Sequence, residues 1–143
     1  MKKSINLFTI LLCMIIASRM VSAQTSERLT GEWINANPKT RGVTSVVVAN
    51  DSFGWNVEAW GKCHPTDCQW GRTKLTPMGD SVEDESFERG FAIWNAGFAD
   101  KYVEFSVKGD VLRVEVVTIF KDRSRRSSFR TVEYFRRSDP RTQ

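Results

Sequence analysis

Cys63, His64, Asp67 and Cys68 crowd four side chains of metal-ligating type into six residues, and His64 is the only histidine of the 143-residue chain. Zinc sites built on closely spaced cysteines draw further ligands from elsewhere, and here no second cysteine pair exists. The expected state is therefore a Cys63–Cys68 disulfide over His64-Pro65-Thr66-Asp67, with Cα atoms within about 7 Å and no metal. Closing so short a ring contributes roughly 2–3 kcal/mol by chain entropy, a local staple. Asp80, Glu83, Asp84, Glu85 and Glu88 offer oxygens of the kind Ca²⁺ takes, but without the alternating ligand loop and its glycine. They read as a solvated connector. Lys121, Arg123, Arg125, Arg126 and Arg130 form a basic hairpin tip near Phe129, a surface suited to anions but diluted by Asp122 and Glu133, and no nucleic-acid partner is expected. Gly-x-Ser-x-Gly, His-Glu-x-x-His and glycine-rich phosphate loops do not occur. No catalytic residue or cofactor is assigned, and the chain reads as non-enzymatic.

Residues 1–23 change the charge balance. Met1-Lys2-Lys3 is a basic start, Ile5 to Ala17 is mostly apolar, and Val21-Ser22-Ala23 supplies the small residues signal peptidase needs, which predicts cleavage before Gln24. Lys2, Lys3 and Arg19 account for three of the 21 basic groups, so 18 remain against 17 acidic ones and the formal charge drops from +4 to +1. A general polyanion binder is thereby disfavoured. Cys13 follows Leu11-Leu12 inside the apolar run, a poor context for lipidation, and no other segment approaches the ~18 continuous apolar residues of a membrane span. The expectation is a periplasmic or secreted protein without a membrane anchor, in a compartment that favours the disulfide.

Those residues must be positioned by what remains, 24–143, which reads as one domain. Short runs rich in Val, Phe, Trp and Thr alternate with Gly, Asn, Asp and Pro about every 8–12 residues, the pattern of an all-β fold. Strands are predicted over 29–36, 43–49, 53–61, about 69–76, 89–96, 101–108, 111–121 and 127–136, with a tight turn at Gly109-Asp110. Period-2 alternation places Trp55, Val57 and Ala59 on one face. It also places Val103, Phe105 and Val107 inward, with Lys101, Glu104 and Lys108 toward solvent, and Leu112, Val114, Val116 and Phe120 on one face. Eight sequential strands with hairpin-length connections fit an antiparallel up-and-down barrel, whose closure removes exposed edges. A β-sandwich is the alternative, with 77–88 as its one candidate crossover.

Leu29-Thr30-Gly31-Glu32-Trp33-Ile34-Asn35 resembles the first strand of the calycin barrels, the lipocalins and avidins. The resemblance implies that Trp33 closes one end of the barrel against a basic residue of the last strand, Arg130 or Arg136. The avidin set of biotin-contacting positions has no counterpart here. Trp60-Gly61-Lys62-Cys63-His64-Pro65-Thr66-Asp67-Cys68-Gln69-Trp70-Gly71, with Arg41-Gly42-Val43-Thr44 and Val132-Glu133-Tyr134-Phe135, is similar to a recurrent family of small secreted bacterial domains. That likeness implies fold and export only.

Two readings of function follow. In one, Trp33, Trp55, Trp94, Phe91, Phe105 and Phe120 line a cavity for a small apolar or aromatic ligand. In the other they fill the barrel, and the chain is a disulfide-stapled, solid-core interaction or inhibitor-type module. The near mirror symmetry of the Trp60–Gly71 segment suits two paired strands with glycine-tolerated bulges, either as a structural staple or as a rigid recognition loop presenting Trp60, His64 and Trp70. Those three, rather than the basic tip, are expected to carry binding to a ligand or protein partner.

Overall fold

Runs of β-branched and aromatic residues too short to bury themselves satisfy their backbone groups by pairing laterally, and here all eight runs pair in chain order. The computed structural model describes residues 28–138. Its strands are β1 (Gly31–Asn35), β2 (Val43–Asp51), β3 (Gly54–Gly61), β4 (Cys68–Met78), β5 (Arg89–Asn95), β6 (Ala99–Lys108), β7 (Val111–Phe120) and β8 (Phe129–Arg137). Each pairs antiparallel with the next, and β1 pairs with β8 through Trp33↔Arg137, Ile34↔Arg136 and Asn35↔Phe135, closing the barrel. The sandwich alternative fails on that closure. The expected export segment 1–23, with its cleavage point before Gln24, lies outside the described residues.

Inward positions alternate as period 2 requires: Val103, Phe105 and Val107 on β6 and Leu112, Val114 and Val116 on β7 are buried. One end is filled solidly by Leu29, Trp33, Leu75, Phe105, Leu112 and Phe135, all fully buried. Trp33 sits at its base and donates its indole N–H to the Leu29 carbonyl at 3.1 Å. The residue that covers it is Arg137, not Arg130 or Arg136. Arg137 shares the inward side of β8 with Phe135. Its guanidinium lies 4.2 Å from the Trp33 ring and donates to the Thr30 and Arg28 carbonyls at 2.7 and 2.6 Å. Arg130 instead pairs with Glu115, and Arg136, one residue out of phase with Arg137, is exposed. The glycine of Gly-x-Trp is required here. Gly31 has φ +130°, and a Cβ on it would lie 2.5 Å from the Arg137 guanidinium.

Parity corrects two expectations. Lys101 is an even number of residues from Val103, Phe105 and Val107 and shares their inward side, where it is half-buried rather than turned to solvent. Phe91 is an odd number from Trp94 and stacks on the half-buried Tyr102, ring centroids 6.5 Å apart, on the opposite side of the sheet from the buried Ala92 and Trp94.

Candidate functional site

In an up-and-down barrel alternate connections share an end. Segments 36–42, 62–67, 96–98 and 121–128 therefore meet at one rim, and 52–53, 79–88 and 109–110 at the other. The stapled loop and the basic tip, distinct sites in the sequence, belong to the same rim. The rim segments carry Lys39, Arg41, Lys62, Lys121, Arg123, Arg125 and Arg126 against Asp67 and Asp122. The connections at the far end carry Asp80, Glu83, Asp84, Glu85, Glu88 and Asp110 and no basic residue. The connections at the two ends thus differ in charge, although Arg28 and Arg89 pair with Glu88 and Asp80 at the far end.

The staple is formed, with Cys63 and Cys68 Cα atoms 5.5 Å apart. His64 is exposed on it. Hydrogen bonding from Thr44, then from Lys62 at 3.3 Å, holds the exposed Asp67 carboxyl below the usual carboxylate range. The two flanking tryptophans part company. Ala59 faces Gly71 but Trp60 faces Gln69, so Trp70 is the extra residue of a bulge, and Gly71 takes φ +86° to make it. The bulge breaks the mirror symmetry. Trp60 borders a shallow outer recess with Glu32, Ser45, Val47 and Asp67. Trp70 turns into the barrel, edge-on to Trp94 at 5.7 Å, and Trp94 in turn packs on Phe105 at 6.5 Å.

Above that ladder the barrel is open. A cavity of about 770 Å³ opens at the rim above the filled end, bordered by Val43, Trp70, Lys101, Val116, Thr118, Phe129, Thr131 and Glu133 and by residues 39–42 and 61–63. The barrel is thus filled at one end and open at the other. The aromatics expected to line a cavity do not. Trp33 and Phe105 lie in the filled end, Trp94 is buried with its indole N–H on the Gly71 carbonyl at 2.8 Å, and Trp55 packs on Phe87. Phe120 joins a rim cluster with Phe98 and Phe129, over which Arg126 lies 4.0 Å from the Phe120 ring while pairing with Asp122. Much of the basic tip is thereby committed. Lys121 pairs with Asp100 at 2.7 Å, leaving Arg123 and Arg125 without an ion pair among the described residues.

No family model, no curated protein and no solved structure matches this chain.

Three polar residues that the sequence pattern did not single out as site residues shape the cavity. Glu133 accepts hydrogen bonds from the Asn35 amide at 3.1 Å, the Val43 N–H at 2.9 Å and the Thr40 hydroxyl, and a Cβ on Gly42 would lie 2.5 Å from its carboxylate. The separated Arg41-Gly42-Val43-Thr44 and Val132-Glu133-Tyr134-Phe135 segments thus meet at one carboxylate. Thr118 is 2% exposed, and its hydroxyl has no hydrogen-bond partner among the described residues. Lys101 places its ammonium 4.1 Å from the centre of the Trp70 ring, and burial pushes its pKa below the ordinary lysine value of 10.5.

The Lys101 shift has a testable sign. The folded chain sheds this proton at lower pH than the unfolded chain, so between the two pKa values the unfolded state binds more protons and stability rises with pH. Relative to Lys101→Met, the wild-type melting temperature is expected to climb as pH approaches 10.5. Parallel curves over that window would show that Lys101 is fully solvated.

Proposed function

We propose that this chain is an exported, non-enzymatic binding protein of calycin type, which holds a small, largely apolar or aromatic ligand in the open end of its barrel. The observation that carries the reading is the cavity of about 770 Å³ beside Trp70, Val116 and Phe129, at the mouth of a barrel whose other end is solidly filled. Ligand sites span about 300–1,000 Å³ and combine apolar walls with a few placed polar groups, and eight strands enclose room for one small ligand. The solid-core module that uses loops alone is less well supported, because the solid packing stops below Trp70. The non-enzymatic reading rests on the polar groups present. They are a lysine, threonines and a carboxylate already accepting three hydrogen bonds, and His64 does not border the cavity. The disulfide is the kind of bond that oxidising compartments preserve, which supports export. No helix among the described residues is long and apolar enough to cross a membrane. Neither a nucleic acid nor a cofactor enters this reading.

Titration with N-phenyl-1-naphthylamine, an uncharged fluorophore that brightens in apolar surroundings, tests it. Saturable binding with a dissociation constant on the order of micromolar is expected, weakened about tenfold or more in a folded Trp70→Ala variant and unchanged in Trp60→Ala. Equal loss in both variants would move the site to the loop surface, and no saturable binding would defeat the cavity reading.

A further inference from the structure

Resting on the cavity reading, we propose that the ligand is an organic monoanion, a carboxylate or sulfonate carried on an apolar or aromatic body, with its acid group held by Lys101.

Lys101 on β6 is the direct cross-strand partner of Thr118 on β7, and Thr118 is the partner of Phe129 on β8. Directly opposed side chains stand on one face with Cβ atoms about 4.5–5.5 Å apart. The two residues are therefore neighbours on the same band of the inner wall, and both border the cavity. The next band toward the filled end pairs Val103 with Val116 and Val116 with Thr131. It offers mostly aliphatic wall.

Both polar groups are short of partners. The Thr118 hydroxyl is buried without a hydrogen bond among the described residues, a condition folded proteins seldom leave uncompensated. No carboxylate among the described residues lies within 4.0 Å of the Lys101 ammonium, which rests against the Trp70 ring. Glu133, the one carboxylate bordering the cavity, is held by Asn35, Thr40 and the Val43 N–H. A half-buried ammonium at the cavity wall with no carboxylate partner is a receptor for an acid oxygen, since charge-assisted bonds are the strong ones. A neutral ligand would leave the ammonium desolvated and uncompensated.

The approach to the cavity has matching charge. Lys39, Arg41, Arg123 and Arg125 lie in the rim segments without an ion pair among the described residues, so an anion meets favourable potential before it meets the lysine. The apolar part then has Trp70, Val116 and Phe129 to cover it. A bare inorganic anion would use the first feature and waste the second.

The test compares two probes with the same aromatic body. One is 8-anilinonaphthalene-1-sulfonate, and the other is its uncharged counterpart N-phenyl-1-naphthylamine. The purified protein is expected to bind the sulfonate about tenfold more tightly. Lys101→Met should abolish that preference while leaving the affinity for the neutral probe within about twofold. Decanoate should displace the sulfonate probe at concentrations where decanol and sodium sulfate do not. The wild-type probe pair and the displacement series stand without any variant, should Lys101→Met fail to fold. Equal affinity for the two probes, a preference that survives in folded Lys101→Met, or displacement by sulfate as effective as by decanoate would each overturn the anion assignment and leave the cavity reading intact. If neither probe binds saturably, both fall.

Discussion

Trp33→Ala is expected to destabilise the barrel by about 3–5 kcal/mol, the range for truncating a large aromatic core residue. Trp33 is fully buried at the filled end, with its indole N–H on the Leu29 carbonyl. Its loss opens a void between Leu29 and the rest of the core and removes the face on which Arg137 rests. The filled end has little freedom to collapse, because Phe105, Phe135, Leu75 and Leu112 are each fully buried around it. For a domain of this size the melting temperature should fall by about 12–20 °C. A variant melting within about two degrees of wild type would show that Trp33 is not a structural plug, and would remove the main physical content of the calycin resemblance.

The second large effect is expected at Glu133. Its carboxylate accepts from Asn35, Thr40 and the Val43 N–H, tying β8 to the end of β1, the start of β2 and the segment between them. Asn35 and Thr40 are both buried, so Glu133→Ala leaves donors short of an acceptor where water enters poorly. Hydrogen bonds to charged groups contribute about 1.5–3 kcal/mol each, and allowing for the partial exposure of Glu133 the net loss is about 2–4 kcal/mol. Urea unfolding should show a lower midpoint at unchanged slope. Glu133→Gln, which keeps an acceptor oxygen, should lose less than half as much. If Gln and Ala are equally damaging, the charge rather than the bonding geometry holds the corner.

The strand count and order were legible in the sequence because alternation and turn residues agree locally. Val103, Phe105 and Val107 alternate into the Gly109-Asp110 turn and out through Leu112, Val114 and Val116 with no interruption. The shared rim was legible too, since the stapled loop and the basic tip each follow an odd-numbered strand. The charge of Lys101 points to solvent, but its even spacing from Val103 puts it inside. Trp70 was not legible from alternation, because a bulge changes phase without changing composition, and Gly71 only permits it. The Glu133 contacts join residues about a hundred positions apart in sequence, beyond the reach of any periodicity.

The seam between β1 and β8 bears on the order of events during synthesis. Only three residue pairs close the barrel, and their β8 members, Phe135, Arg136 and Arg137, are the last barrel residues to be made. A nascent chain holding the first seven strands has two unpaired edges, an uncovered Trp33 and an empty place where Glu133 gathers Asn35, Thr40 and Val43. No shorter prefix of the barrel can reach the closed state. Until β8 arrives, the free edge of β1 is a template for strands of other chains, so the speed at which residues 129–137 follow the rest governs how long each molecule stays open to strand exchange with its neighbours.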